Sequence, residues 1–152
     1  MKCGYKELLM KIQGITEDIP YKIANLANIS AILFENMDNI NWAGFYLVED
    51  GQLVLGPFQG KSACIVIKKG RGVCGTAWEE NKLQLVENVH EFKGHIACDG
   101  ASNSEIVIPL HCNGEVVGVL DIDSYKLANF SEEDAIGLQA IVDYMESKNI
   151  WM

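Results

Sequence analysis

Two stretches near the N-terminus carry apolar residues at helical spacing. Leu8, Leu9 and Ile12 recur within residues 2–13, and Ile23, Leu26, Ala27, Ser30, Leu33 and Phe34 within residues 20–36. This spacing predicts two packing helices, with Asp18 and Pro20 as start signals for the second. The period then shortens. Residues 42–48 and 52–57 are strand-like runs separated by Asp50-Gly51, a pair suited to the positive φ angles of a type I′ turn, so they predict a β-hairpin. Residues 64–67 read as a third short strand, residues 73–81 as a helix beginning at or near Cys74, and residues 83–86 as a fourth strand. Residues 87–104 show no periodicity, and a loop of that length in a compact domain is usually functional or disordered.

A second hairpin is clearer. Residues 105–112 and 115–123 flank an Asn113-Gly114 turn, and both runs are apolar on both faces, which predicts a sheet covered on both sides. A last helix is expected from Ser131 to about Lys148, since Ser131-Glu132-Glu133-Asp134 has capping-box spacing. Two antiparallel hairpins with flanking helices define an α+β class with an antiparallel sheet between helical layers. At 152 residues the chain is expected to form one domain, residues 1–152, with a core over about 20–147.

Composition narrows the partners. A formal net charge of −9 disfavours nucleic acid and anionic membrane surfaces. No apolar run reaches the 18 residues of a membrane span, and the first seven residues are too charged for a secretory leader, so a cytoplasmic protein is expected. In that compartment the five cysteines would not form a structural disulfide framework, and an odd count cannot pair fully.

Cys74 and Cys98 stand among glycines and small polar residues, in Gly70-Arg71-Gly72-Val73-Cys74-Gly75-Thr76 and Gly94-His95-Ile96-Ala97-Cys98-Asp99. Core thiols normally occupy apolar runs. A thiol attacks as its thiolate, and the start of a helix at Cys74 would favour that form. Two thiols in such settings, 24 residues apart, suggest a redox pair in which one attacks and the other resolves its oxidised form. A zinc site from Cys74, His95 and Cys98 is a weaker reading, because no C-x-x-C pair is present. His90 and His95 read as loop hydrogen-bonding groups.

Asp121 and Asp123 close an otherwise apolar strand and share a face. Glu105 opens the partner strand, but a plain two-residue turn would put residue 105 opposite 122, on the other face. Convergence of the three acids therefore requires Glu105 to lie in the loop, or a bulge to intervene, with Pro109 a natural place for it.

These segments, together with Gly56-Pro57-Phe58-Gln59-Gly60-Lys61, Ser102-Asn103-Ser104-Glu105 and Gly118-Val119-Leu120-Asp121-Ile122-Asp123, resemble the free methionine-R-sulfoxide reductases, which have a GAF-type fold. The similarity spans roughly residues 20–145 and includes the spacing of Cys64, Cys74 and Cys98. It implies a six-stranded antiparallel sheet with helices on both sides, reduction of free methionine-(R)-sulfoxide, thioredoxin as reductant and often a homodimer, with no cofactor or metal.

The resemblance gives Cys98 the place of the sulfur-attacking cysteine, and Cys64 and Cys74 those of candidate resolving thiols, in an order left open. Trp42 and Tyr46 match the residues that wall the substrate's methyl group. Glu105, Asp121 and Asp123 match the acids that hold the sulfoxide oxygen and the amino group. Lys93 stands where the family usually has proline, and Gly100 where alanine is common. The competing reading is a GAF domain that senses a small ligand without catalysis; three thiols at this spacing are what a sensor has no need of.

Overall fold

Asp50 and Gly51 have φ angles of 52° and 76°, and Asn113 and Gly114 of 53° and 80°, so both predicted turns adopt the left-handed pairs that match strand twist. The computed structural model describes residues 1–94 and 100–151. Around these turns lie α1 (Tyr5–Thr16), α2 (Lys22–Asn36), β1 (Ile40–Glu49), β2 (Gln52–Gly60), β3 (Val66–Ile67), α3 (Gly72–Glu80), β4 (Gln84–Val86), β5 (Ser104–Cys112), β6 (Glu115–Ser124) and α4 (Glu132–Ser147). A 3-10 turn, Val89–Glu91, interrupts the long loop.

The six strands form one antiparallel sheet in the order β3-β2-β1-β6-β5-β4. Alternate residues of each strand face opposite layers. On one face Ala43, Phe45, Ile106, Ile108, Leu120 and Ile122 pack with Leu8 and Ile12 of α1, Leu26, Ile29 and Leu33 of α2, and Leu138, Ile141 and Val142 of α4. On the other, Trp42, Tyr46, Val107 and Val119 pack with Val73, Cys74 and Ala77 of α3. The sheet is thus covered on both sides, as its doubly apolar strands require. No helix among the described residues is long and apolar enough to cross a membrane.

Two local expectations are corrected. The second helix does not start on Asp18 or Pro20. Asp18 has φ 58°, Tyr21 is an extended N-cap without a side-chain bond, and Asn25 Nδ2 donates to Ile19 O at 2.9 Å to brace the approach. The third strand is two residues long rather than four, because the Cys64 carbonyl accepts from Tyr46 Oη at 2.8 Å instead of entering the ladder. The fourth helix, by contrast, opens as expected: Ser131 and Asp134 form a reciprocal capping box.

The bulge required by the acids is present, though not at Pro109. Cys112 pairs with Glu115 and His111 with Val116, but Leu110 pairs with Gly118, so β6 carries one extra residue at Val117. Pro109 sits regularly opposite Val119, beyond the reach of β4, which ends opposite Val107. There β5 has a ladder partner on one side only, and a missing N–H is tolerated.

Candidate functional site

The extra residue in β6 moves Glu105 opposite Asp123 and Val107 opposite Asp121. Glu105, a strand residue and not a loop residue, therefore shares a face with both aspartates. On the other side of β6, Trp42 pairs with Asp123 and Gly44 with Asp121, and Tyr46 follows on the same face. Three adjacent strands thus present Trp42, Tyr46, Asp121, Asp123 and Glu105 towards α3. Helix α3 adds Cys74 from its first turn.

The aromatic side of this cluster is a stack. Trp42 lies 5.9 Å from Tyr46 with an interplanar angle of 25°, and 5.1 Å from Phe58 with 15°. Trp42 Nε1 donates to Lys61 O at 3.1 Å, and Tyr46 Oη to Cys64 O, so both rings are fixed and both tie the segment after β2 to the site. Phe58 was not singled out by its sequence. It fits because Gly44 stands opposite it: a Cβ on Gly44 would lie 2.3 Å from Phe58 Cβ.

The polar side is a buried cluster. Glu105 and Asp121 are 7% and 4% exposed. Cys74 Sγ, one carboxylate oxygen of Glu105 and one of Asp121 all lie within 4.8 Å of one another, with Cys74 Sγ donating towards Glu105 Oε2 at 4.0 Å. Burial pushes the Glu105 carboxyl well above its ordinary range, and the charges of Asp121 and Asp123 and its hydrogen bonds to them push the same way. Asp121 is also raised by burial, but its hydrogen bonds with Glu105, Cys74 and Asp123 oppose the shift. Glu105 is therefore the proton holder of the cluster and Asp121 the acceptor. Asp121 Oδ1 remains buried without a hydrogen-bond partner among the described residues. Tyr46 is raised by burial and by the nearby acids, so its hydroxyl stays protonated.

The cluster overturns the expectation for Cys74. A helix start would favour its thiolate, but burial pushes the thiol up and Asp121, Glu105 and Asp123 push it further. Burial, with three carboxyls adding to it, outweighs the dipole of a nine-residue helix. Among the described residues, Cys74, Glu105 and Asp121 form a donor set close enough to approach a metal ion together.

Cys98 and His95 lie outside the described residues. The described residues on either side of them are anchored beside the site. Gly72 N donates to Gly94 O at 3.1 Å, Asn41 Nδ2 to Ser102 Oγ at 3.0 Å, and Asn103 N to Ser124 O at 2.7 Å. His90 hydrogen-bonds Asn103 at 2.8 Å, the loop role expected of it. Cys64 is disulfide-bonded, whereas Cys3 and Cys74 are free thiols.

A GAF domain profile matches residues 24–147. The Escherichia coli (strain K12) free methionine-R-sulfoxide reductase is 59% identical over 124 residues, 82% of this chain and 75% of that protein. The chain belongs to the free methionine-R-sulfoxide reductase family of GAF domains. Solved members superimpose closely. The Staphylococcus aureus fRMsr in its reduced form is 49% identical, with TM-score 0.92 and coverage of 94% of this chain and 93% of that one. The Neisseria meningitidis free methionine-R-sulfoxide reductase in complex with its substrate is 45% identical, with TM-score 0.91 and coverage of 94% and 86%. The family's six-stranded sheet is the one described above.

Proposed function

We propose that this chain reduces free L-methionine-(R)-sulfoxide to methionine. The observation that carries the reading is the buried Glu105–Asp121–Cys74 cluster on one sheet face with the Trp42–Tyr46 stack. A sulfoxide is a poor electrophile until its oxygen is protonated or strongly hydrogen-bonded. That requires a carboxyl that keeps its proton above the ordinary range, the direction in which burial and like charge push Glu105. Free methionine also carries an ammonium group, and Asp121, with Oδ1 unpartnered, offers an acceptor for it, assisted by Asp123 on the same face. A peptide-bound sulfoxide lacks the ammonium and would leave that carboxylate buried and unpaired, at a cost of about 1–3 kcal/mol or more. Trp42 and Tyr46 supply the apolar wall for the methyl group.

In the chemical step the Cys98 thiolate attacks the sulfoxide sulfur while Glu105 protonates the oxygen. The S–O bond breaks, methionine leaves, and Cys98 holds the oxygen as a sulfenic acid. The Cys64 thiol then displaces water from Cys98, forming the disulfide. The disulfide at Cys64 and the free thiol of Cys74 support Cys64 as the resolving residue. Cys74 then serves as a neutral member of the acid cluster, available as a second resolving thiol. A dithiol protein such as thioredoxin, in the reducing cytoplasm, returns two electrons and restores both thiols. A homodimer of the whole chain, folded as one domain, is the form in which we expect it to act.

The test is turnover with thioredoxin and each of three substrates: free methionine-(R)-sulfoxide, its S epimer, and a peptide containing the sulfoxide. Methionine should come from the free R epimer alone. Equal rates on the peptide would remove the role given to Asp121, and no product from any of the three would make the chain a ligand-binding GAF domain.

A further inference from the structure

In a chain of net charge −9, residues 51–78 contain no aspartate or glutamate and four basic residues, Lys61, Lys68, Lys69 and Arg71. The remainder holds 8 of the 12 basic residues and all 21 acidic ones. All four basic side chains are exposed, and among the described residues none is paired with a carboxylate. Lys69 instead lies over the Trp78 ring, 5.1 Å from its centroid. Between the basic residues the chain runs Cys64-Ile65-Val66. Ile65 is 71% exposed and Val66 43%, which makes this an apolar exposed pair where the chain enters the outermost strand of the sheet. Cys64 itself is half-buried, disulfide-bonded, and held by its carbonyl to Tyr46 Oη.

These features answer one chemical need. A disulfide sulfur is reduced by in-line attack of an incoming thiolate, so a protein reductant must lay its own surface against the residues around that sulfur. We propose that the Lys61–Arg71 edge, centred on Ile65, is the docking surface for the protein that reduces this chain's disulfide: an acidic dithiol protein whose reactive thiol is ringed by apolar surface. The assignment rests on the redox cycle proposed above. Ile65 and Val66, next in the chain to Cys64, supply the apolar contact, and the four exposed cations of this acid-free stretch steer an acidic partner to it. The partner's thiolate attacks Cys64 Sγ, forming an intermolecular S–S bond and expelling the former partner sulfur as a thiolate that takes up a proton. The reductant's second thiol then attacks its own mixed-disulfide sulfur and releases Cys64 as a thiol. Two electrons pass from the dithiol, which ends as a disulfide.

Reduction of the oxidised protein can be followed by thiol titration, with an acidic thioredoxin and with dithiothreitol in parallel. Ile65→Asp and the double variant Lys61→Glu/Lys68→Glu alter exposed side chains outside the acid cluster and the aromatic stack. Each should lower the second-order rate constant for thioredoxin about tenfold and leave that for dithiothreitol unchanged, and raising the salt should slow thioredoxin alone. Unchanged thioredoxin rates, or equal slowing with both reductants, would overturn the docking surface. This readout uses no sulfoxide. Failure of the catalytic reading itself would show separately, as reduced protein that releases no methionine.

Discussion

Glu105 stands directly opposite Asp123 across the β5–β6 ladder, and it does so because β6 contains one residue more than β5 between the turn and the site. Without that residue, Glu105 would face the helical core instead of the aspartates. The three-carboxyl cluster is thus a product of strand register, set about six residues away at Leu110–His111. Burial and the charges of Asp121 and Asp123 raise Glu105, and burial raises Asp121 against its hydrogen bonds.

Glu105→Gln keeps the shape of the side chain and removes the titrating proton. If Glu105 protonates the sulfoxide oxygen, turnover should fall by about a hundredfold or more. In the wild type the rate should decline as pH rises through the raised value of Glu105, and this limb should be absent from the variant. A pH–rate profile of both proteins measures it.

Stability carries the same signature. The folded chain holds a proton on Glu105 at pH values where the unfolded chain, near the ordinary glutamate value of 4.5, has lost it. The folded state therefore binds more protons, and stability falls as pH rises from about 4.5 through the raised value, then levels off. Tm measured across that interval should drop with pH in the wild type and vary less in Glu105→Gln. Parallel curves would place the proton elsewhere.

Gly44→Ala tests the stack. The added Cβ would meet Phe58 Cβ at 2.3 Å, its Cα at 2.7 Å and Pro57 O at 2.9 Å, none of which is the end of a flexible side chain. Denaturant unfolding should show a loss of about 1–3 kcal/mol. The apparent KM for the sulfoxide should rise as Phe58 is pushed off Trp42.

Tyr46→Phe removes the hydrogen bond to Cys64 O. The loss should be about 1 kcal/mol. Since this bond holds the backbone of the cysteine we propose as the resolving one, disulfide formation after the first turnover should slow more than release of the first methionine, a difference that rapid quench resolves.

Much of this was legible in the sequence. The two hairpin turns followed from Asp50-Gly51 and Asn113-Gly114, whose conformational preferences are local. The bulge followed from a conflict between a turn and three carboxyls, although it lies at Val117 and not at Pro109. What escaped was set by tertiary contacts. The short β3 depends on Tyr46 claiming the Cys64 carbonyl, and the raised Cys74 thiol depends on carboxyls delivered by two distant strands. The position of Phe58 depends on a glycine facing it across β1 and β2. No local window of sequence contains those partners.

The central claim is that one buried acid cluster serves a two-thiol cycle in which Cys98 attacks and Cys64 resolves. It is tested by giving the fully reduced protein free methionine-(R)-sulfoxide without reductant, then counting methionine released, thiols lost and disulfides mapped per subunit. About one methionine released and two thiols lost per subunit are expected, with a disulfide joining Cys98 to Cys64 and Cys74 still a thiol. Methionine release that survives Cys98→Ser, or a first disulfide that captures Cys74 in place of Cys64, would contradict it.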